Sequence, residues 1–234
     1  MIEFRTVFRK ELRELLFSRS AMASGGFFAL VFGVLYSLRI TGNMVQSLDV
    51  SLGSLLFFLT TLLGVFLGYS FTSQVFLRDK MDGVIETLLC SPASLRGLWL
   101  GKTLAVTVFA HALAYVAGVL TALATSIRLG TVAITTASDF VYLVCVVPLV
   151  IACLVGALGF AQLLLGMKEN RIIGLALFIP LFAGLYGLGY NATGSFVVTW
   201  LHVGLVAVGA FALLAVIAWA SRFLSRERIV TTLS

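Results

Sequence analysis

The sequence predicts an all-α, polytopic membrane protein: six transmembrane helices, both termini cytoplasmic, and an amphipathic interfacial helix ahead of the first span. Three observations carry that prediction. Hydrophobic residues make up 60% of the 234 and charged residues only 11%, which leaves too little polar surface to clothe a water-soluble domain. Six stretches contain no Asp, Glu, Lys or Arg, and about 20 apolar helical residues cross a hydrocarbon core ~30 Å thick. The sixteen basic residues fall almost wholly on alternate sides of those stretches.

Residues 1–20 form the first element. In "EFRTVFRKELRELLFSRS", Phe4, Val7, Phe8, Leu12, Leu15 and Leu16 recur at helical spacing. Arg5, Arg9, Lys10, Arg13 and Glu14 fall largely elsewhere on the wheel. That pattern describes a helix lying in the cytoplasmic interface. Anchoring to anionic lipid and docking of a protein are equally good readings of it, with Arg9, Lys10 and Arg13 the candidate contacts. The segment is too long and too acidic for the positive leader of a cleaved signal peptide, so it is expected to stay on the chain.

The transmembrane domain, 21–234, follows, with spans near 21–38, 52–77, 103–127, 140–167, 172–190 and 197–221. A transmembrane barrel would alternate apolar and polar residues in segments of roughly ten, whereas "LLFFLTTLLGVFLGYSF" is apolar on every side. Fourteen basic residues lie before span one, between spans two and three, between four and five, and after six; only Arg39 and Arg128 fall on the other side. The positive-inside rule therefore sets both ends in the cytoplasm. It also accounts for the net charge of +6 without nucleic acid. Cys90, Cys145 and Cys153 make no disulfide framework.

The longest segment outside the spans, 78–102, is cytoplasmic. "RDKMDGVIETLLCSPASLRGLWLGKT" reads as a short helix, a sharp break and a second helix running into span three. Ser91 caps the second helix, and Pro92 suits its first position because the missing N–H would have no partner there. Leu95, Leu98 and Trp99 give it an apolar, exposed face with Arg96 and Lys102 among them. The closing "GKT" imitates a phosphate loop, but three residues rather than four separate Gly97 from Gly101, and no buried strand precedes it. Nucleotide binding is not expected here.

The order Gly83-x-x-Glu86, Leu88-Leu89, Ser91-Pro92 and then Gly101-Lys102 entering a span resembles the cytoplasmic coupling segment of ABC type-2 permeases. The basic helix before span one, six spans with both ends inside, and the closing "SRFLSRERIV" are similar to the same family. One departure is "GLYGLGYNATGSF" after span five, where many members carry a proline-rich reentrant stretch. The resemblance implies that Glu86, Ser91, Pro92, Leu95, Arg96, Trp99 and Lys102 contact a separate ABC ATPase, present in two copies. Lys102 would then sit at the membrane border, its stem along apolar surface and its ammonium at lipid phosphates or the partner. The resemblance also implies a second permease copy, identical or paralogous, with ATP and Mg held by the ATPase and no cofactor or metal in this chain.

Other features have plainer readings. His111 and His202, on different spans, make a poor metal site. Gly64-x-x-x-Gly68 allows close packing of helices, within the subunit or across a dimer. Pro148 and Pro180 kink their spans, whether as gates or as fits to a neighbour. Lys168, Glu169 and Arg171 in the second inner loop are either a lesser docking contact or a charged turn that fixes topology. Asn191-Ala192-Thr193 is a sequon too close to the membrane to serve. HExxH and GxSxG are both absent from the sequence, so the chemistry of an intramembrane protease is missing. The expected function is the permease subunit of an ATP-driven exporter in the plasma membrane, moving hydrophobic or amphipathic cargo. The alternatives are a haem-exporter-like permease of the cytochrome c maturation type and an ion-coupled secondary carrier. The carrier predicts charges near the bilayer midplane, which these spans lack.

Overall fold

A computed structural model describes residues 2–47, 52–83, 94–129, 137–164 and 199–223, together with Ile172, Ala176, Ile179 and Ala183. Helix α1 (Ile2–Phe17) and α2 (Arg19–Ser47) meet at Ser18. Helix α3 (Leu52–Thr72) continues through a π-helical turn (Ser73–Leu77) into the short α4 (Arg78–Met81). Helix α5 (Leu95–Leu129) is the longest, at 35 residues. Helix α6 (Ala137–Val141) passes through a second π-helical turn (Tyr142–Val146) into α7 (Val147–Leu164), and α8 (Trp200–Ala220) runs into a 3-10 turn (Ser221–Phe223) that closes the described chain.

Among the described residues, four helical runs are long and apolar enough to cross a membrane: Phe58–Lys80, Leu95–Ile127, Ala137–Leu164 and Trp200–Ala220. These coincide with the expected spans two, three, four and six. The pair Phe4–Phe17 and Arg19–Val34, bent by 71°, meets the same criterion together and contains expected span one. Expected span five falls outside the described residues apart from four helical positions.

Helix α5 is the hub, packing against α1, α2, α3 and α7. It serves that role because its inward face is built from small residues, with Ala105, Ala110, Ala114 and Ala117 wholly buried. Small side chains let helix backbones approach where lipid offers no hydrophobic drive between them. Phe71 of α3 meets Phe109 of α5 edge to face at 4.9 Å between ring centres. Across the α2 contact, the Thr121 hydroxyl lies within donating distance of the Gly33 carbonyl, at 3.0 Å, and of its own helix at Ala117, at 2.8 Å. The Gly64-x-x-x-Gly68 pair packs within the subunit: a Cβ at Gly64 would lie 2.6 Å from Ile151 Cδ1 of α7, and one at Gly68 3.1 Å from Ile151 Cγ2. Pro148 stands in the first turn of α7, directly after a π-helical turn. Among the described residues, helix α8 packs chiefly on α7, with lesser contacts to α6 and the π-helical turn before α7, and Val203 and Ala210 are buried along it. At its start, Thr199 Oγ1 lies 2.7 Å from His202 Nδ1 in a capping box, which gives His202 a structural task.

Candidate functional site: a buried ion triad where three elements meet

The amphipathic helix α1 does not lie free. Its inner side, carrying Val7, Phe8, Glu11, Leu12 and Leu15, rests on the first turns of α5. Gly101 makes that approach possible, because a Cβ there would stand 2.8 Å from Val7 Cγ1 and 3.2 Å from the Phe8 backbone nitrogen. The glycine of "GKT" is thus a helix-crossing point.

The next residue, Lys102, is 1% exposed. Its Nζ donates to Glu11 Oε1 of α1 at 2.7 Å and lies 2.7 Å from Asp79 Oδ2 of α4. The Asp79 contact is ionic, without the alignment of a directed hydrogen bond. The ammonium also stands 5.9 Å over the Phe76 ring. Three elements far apart in sequence are therefore joined by one cation. Glu11 is buried at 5% exposure, Asp79 is half-buried, and Lys80 beside it is buried. An isolated charge at such depth is very costly, while a paired and hydrogen-bonded one is tolerated. Burial raises the Glu11 carboxyl above its usual range, and the attraction and hydrogen bond of Lys102 offset only part of that shift. Burial pulls Lys10 down, yet the carboxylates of Glu11, Glu14 and Asp79 together leave it raised.

Two expectations are corrected here. Lys102 does not extend to headgroups or a partner; it is held inside by Glu11 and Asp79, because α1 closes over the position that the isolated segment would leave open. Trp99 is not exposed. It is 1% accessible and its Nε1–H donates to the Gly156 carbonyl of α7 at 3.1 Å, so the apolar face of the incoming helix is used within the chain. Leu95 is half-buried at the start of α5, and Arg96 is exposed. The described helix is capped by Ser94, whose Oγ accepts from the Gly97 N–H at 3.2 Å. Glu86, Ser91 and Pro92, and Lys168, Glu169 and Arg171 of the second inner loop, lie outside the described residues. Arg9, Lys10 and Arg13 stand on the outer, exposed side of α1.

Glu11 and Asp79 escaped the sequence reading. Glu11 did carry a signal: it sits four residues after Val7 and four before Leu15, on the apolar stripe of α1. A carboxylate in that position requires a cation, and Lys102, set among Leu98, Trp99, Leu104 and Ala105, requires an anion.

The segment that leaves α4 at Gly83, which has a positive φ of 68°, and returns at Ser94 is bracketed by the triad. Asp79 precedes its departure, and Lys102 follows its return by about two turns of helix. A family model described as ABC-2 family transporter protein matches residues 5–167, which include all three members of the triad. No curated protein and no solved structure matches the chain.

Proposed function

Because the chain belongs to the ABC-2 family of transporter proteins, and is thus an ABC permease subunit, we propose that it forms the membrane path of an ATP-driven exporter in the plasma membrane. A separate ATPase, in two copies, supplies ATP and Mg chemistry, and a second permease copy completes the path. Apolar, aromatic-rich spans whose charged residues, among those described, lie towards the span ends favour hydrophobic or amphipathic cargo.

The observation that carries the coupling is the position of Lys102 between Glu11 and Asp79. A push on the segment between Gly83 and Ser94 reaches both of its flanks. Were those flanks independent, the push would be spent in loosening one against the other. With α1, α4 and α5 joined by a buried cation, they move as one body, and the stroke arrives at spans two and three together. Alternation between inward- and outward-facing states is then an equilibrium that nucleotide binding biases through the partner. Within the segment, Glu86 and the Ser91-Pro92 turn are the proposed contacts with the ATPase, together with Arg96. Lys168, Glu169 and Arg171 form the lesser contact.

The test is reconstitution of the chain into proteoliposomes with an ABC ATPase that co-purifies with it. ATP-dependent movement of a lipophilic fluorescent dye, absent when either subunit is omitted and absent with an ATPase lacking its catalytic carboxylate, is the expected result. Transport by this chain alone under an ion gradient would instead establish a secondary carrier.

A further inference from the structure

Arg5, Arg9 and Arg13 recur every fourth residue on the outer side of α1, so their side chains stack along one face roughly 6 Å apart. All three are exposed, and among the described residues the ion pairs of α1 involve only Lys10, Glu11 and Glu14. Lys10 is matched by Glu14 at 3.5 Å, so among the described residues no carboxylate pairs with the three guanidinium groups. Among the described residues they line, with Lys10, Glu14 and Phe17 of the same helix, the α1 side of an open groove of about 1160 Å³. One end of that groove is apolar: Phe17 is 76% exposed, Leu16 beside it is exposed as well, and the Arg13 guanidinium stands 5.7 Å over the Phe17 ring. Helix α1 turns away from α2 by 71° at Ser18. Where α2 crosses the bilayer, that bend lays α1 close to the membrane plane, with the Phe17 end nearest the hydrocarbon.

We propose that this groove is a binding site for anionic phospholipid of the leaflet that α1 faces. The guanidinium forks take the headgroup phosphate as paired, charge-assisted donors. Phe17 and Leu16 lie against the first methylenes of the acyl chains. A soluble anion would satisfy the arginines and leave the apolar end in water, and a lipid satisfies both. Bound lipid adds a charge tether to the outer side of the helix whose inner side the Lys102 triad holds.

The experiment is native mass spectrometry of the full chain in neutral detergent, titrated in parallel with dioleoylphosphatidylglycerol and dioleoylphosphatidylcholine. The expected preference for the anionic lipid is on the order of tenfold or more, given three basic side chains at a membrane surface, and it declines with added salt. The Arg5→Gln/Arg9→Gln/Arg13→Gln variant should lose the preference, Phe17→Ala should reduce it, and replacement of the three by Lys should keep most of it. Thermal unfolding of the glutamine variant should match the unmodified chain, since those side chains lie outside the buried face. Equal binding of both lipids, or an undiminished preference in the glutamine variant, overturns the proposal. So does restoration of transport in Glu86→Arg by Arg9→Glu or Arg13→Glu, which would assign the stripe to the cytoplasmic segment.

Discussion

The two sides of α1 handle charge in opposite ways. On the inner side a single carboxylate, Glu11, is sunk in an apolar stripe and answered by Lys102, itself 1% exposed. On the outer side Arg5, Arg9 and Arg13 stand exposed, with the Arg13 guanidinium over the Phe17 ring. Charge on a single helix thus does two kinds of work. Buried and paired charge fixes position, because every alternative arrangement strands an ion away from water. Exposed charge fixes nothing and stays available to a ligand, because water competes with any one geometry.

That contrast ranks the effects of substitution. The largest belongs to Lys102→Ala, which strands the buried Glu11 and leaves the half-buried Asp79 without its cation, and should cost about 3–5 kcal/mol, the usual penalty for leaving a buried charge without its partner. Yield of monodisperse protein and the midpoint of thermal unfolding in detergent would both fall. The neutral set Lys102→Met/Glu11→Gln/Asp79→Asn should recover most of that loss. If the single variant unfolds at the unmodified temperature, the inner side is no different from the outer.

Next comes the crossing point. Gly101→Val would drive a side chain into Val7 and the backbone at Phe8, and overpacking of this kind costs typically about 1–3 kcal/mol. Protease access to α1 should increase in step. Unchanged proteolysis would show that α1 does not rest on α5.

A smaller effect separates the two sides by pH. The Glu11 carboxyl lies above its ordinary value of 4.5, through burial first and against the pull of Lys102. A group whose folded pKa exceeds its unfolded one stabilises the fold fully below the unfolded value, and that contribution fades as pH rises through the folded value. The unfolding midpoint should therefore decline as pH climbs from 4.5 through the raised value of Glu11, and Glu11→Gln should flatten that stretch of the curve. The glutamine substitutions at Arg5, Arg9 and Arg13 should leave its shape intact.

Much of this arrangement was legible in the sequence, for reasons of scale. Spans two, three, four and six announce themselves because length and hydrophobicity are local properties. The helical period of Phe4, Val7, Phe8, Leu12 and Leu15 is local as well, and α1 follows it. What local pattern does not convey is which surface an amphipathic face covers. Trp99 looked available because its partner, the Gly156 carbonyl, lies 57 residues away. Lys102 looked like a headgroup ligand because Glu11 lies 91 residues away. Both misreadings have one origin: a face that is apolar at a membrane border suits lipid, a partner protein and the chain's own helices equally well. Glu86, singled out from a motif, lies outside the described residues.

The central claim is that Lys102 and Glu11 hold α1 to the helix bundle as a pair, and a double-mutant cycle addresses it most directly. Lys102→Met, Glu11→Gln and the double variant would be compared with the unmodified chain by thermal unfolding in one detergent. The account predicts strong non-additivity, with the double variant more stable than the sum of the single losses implies, by a coupling of about 1–3 kcal/mol for residues in direct contact. Losses that add to within experimental error would contradict it.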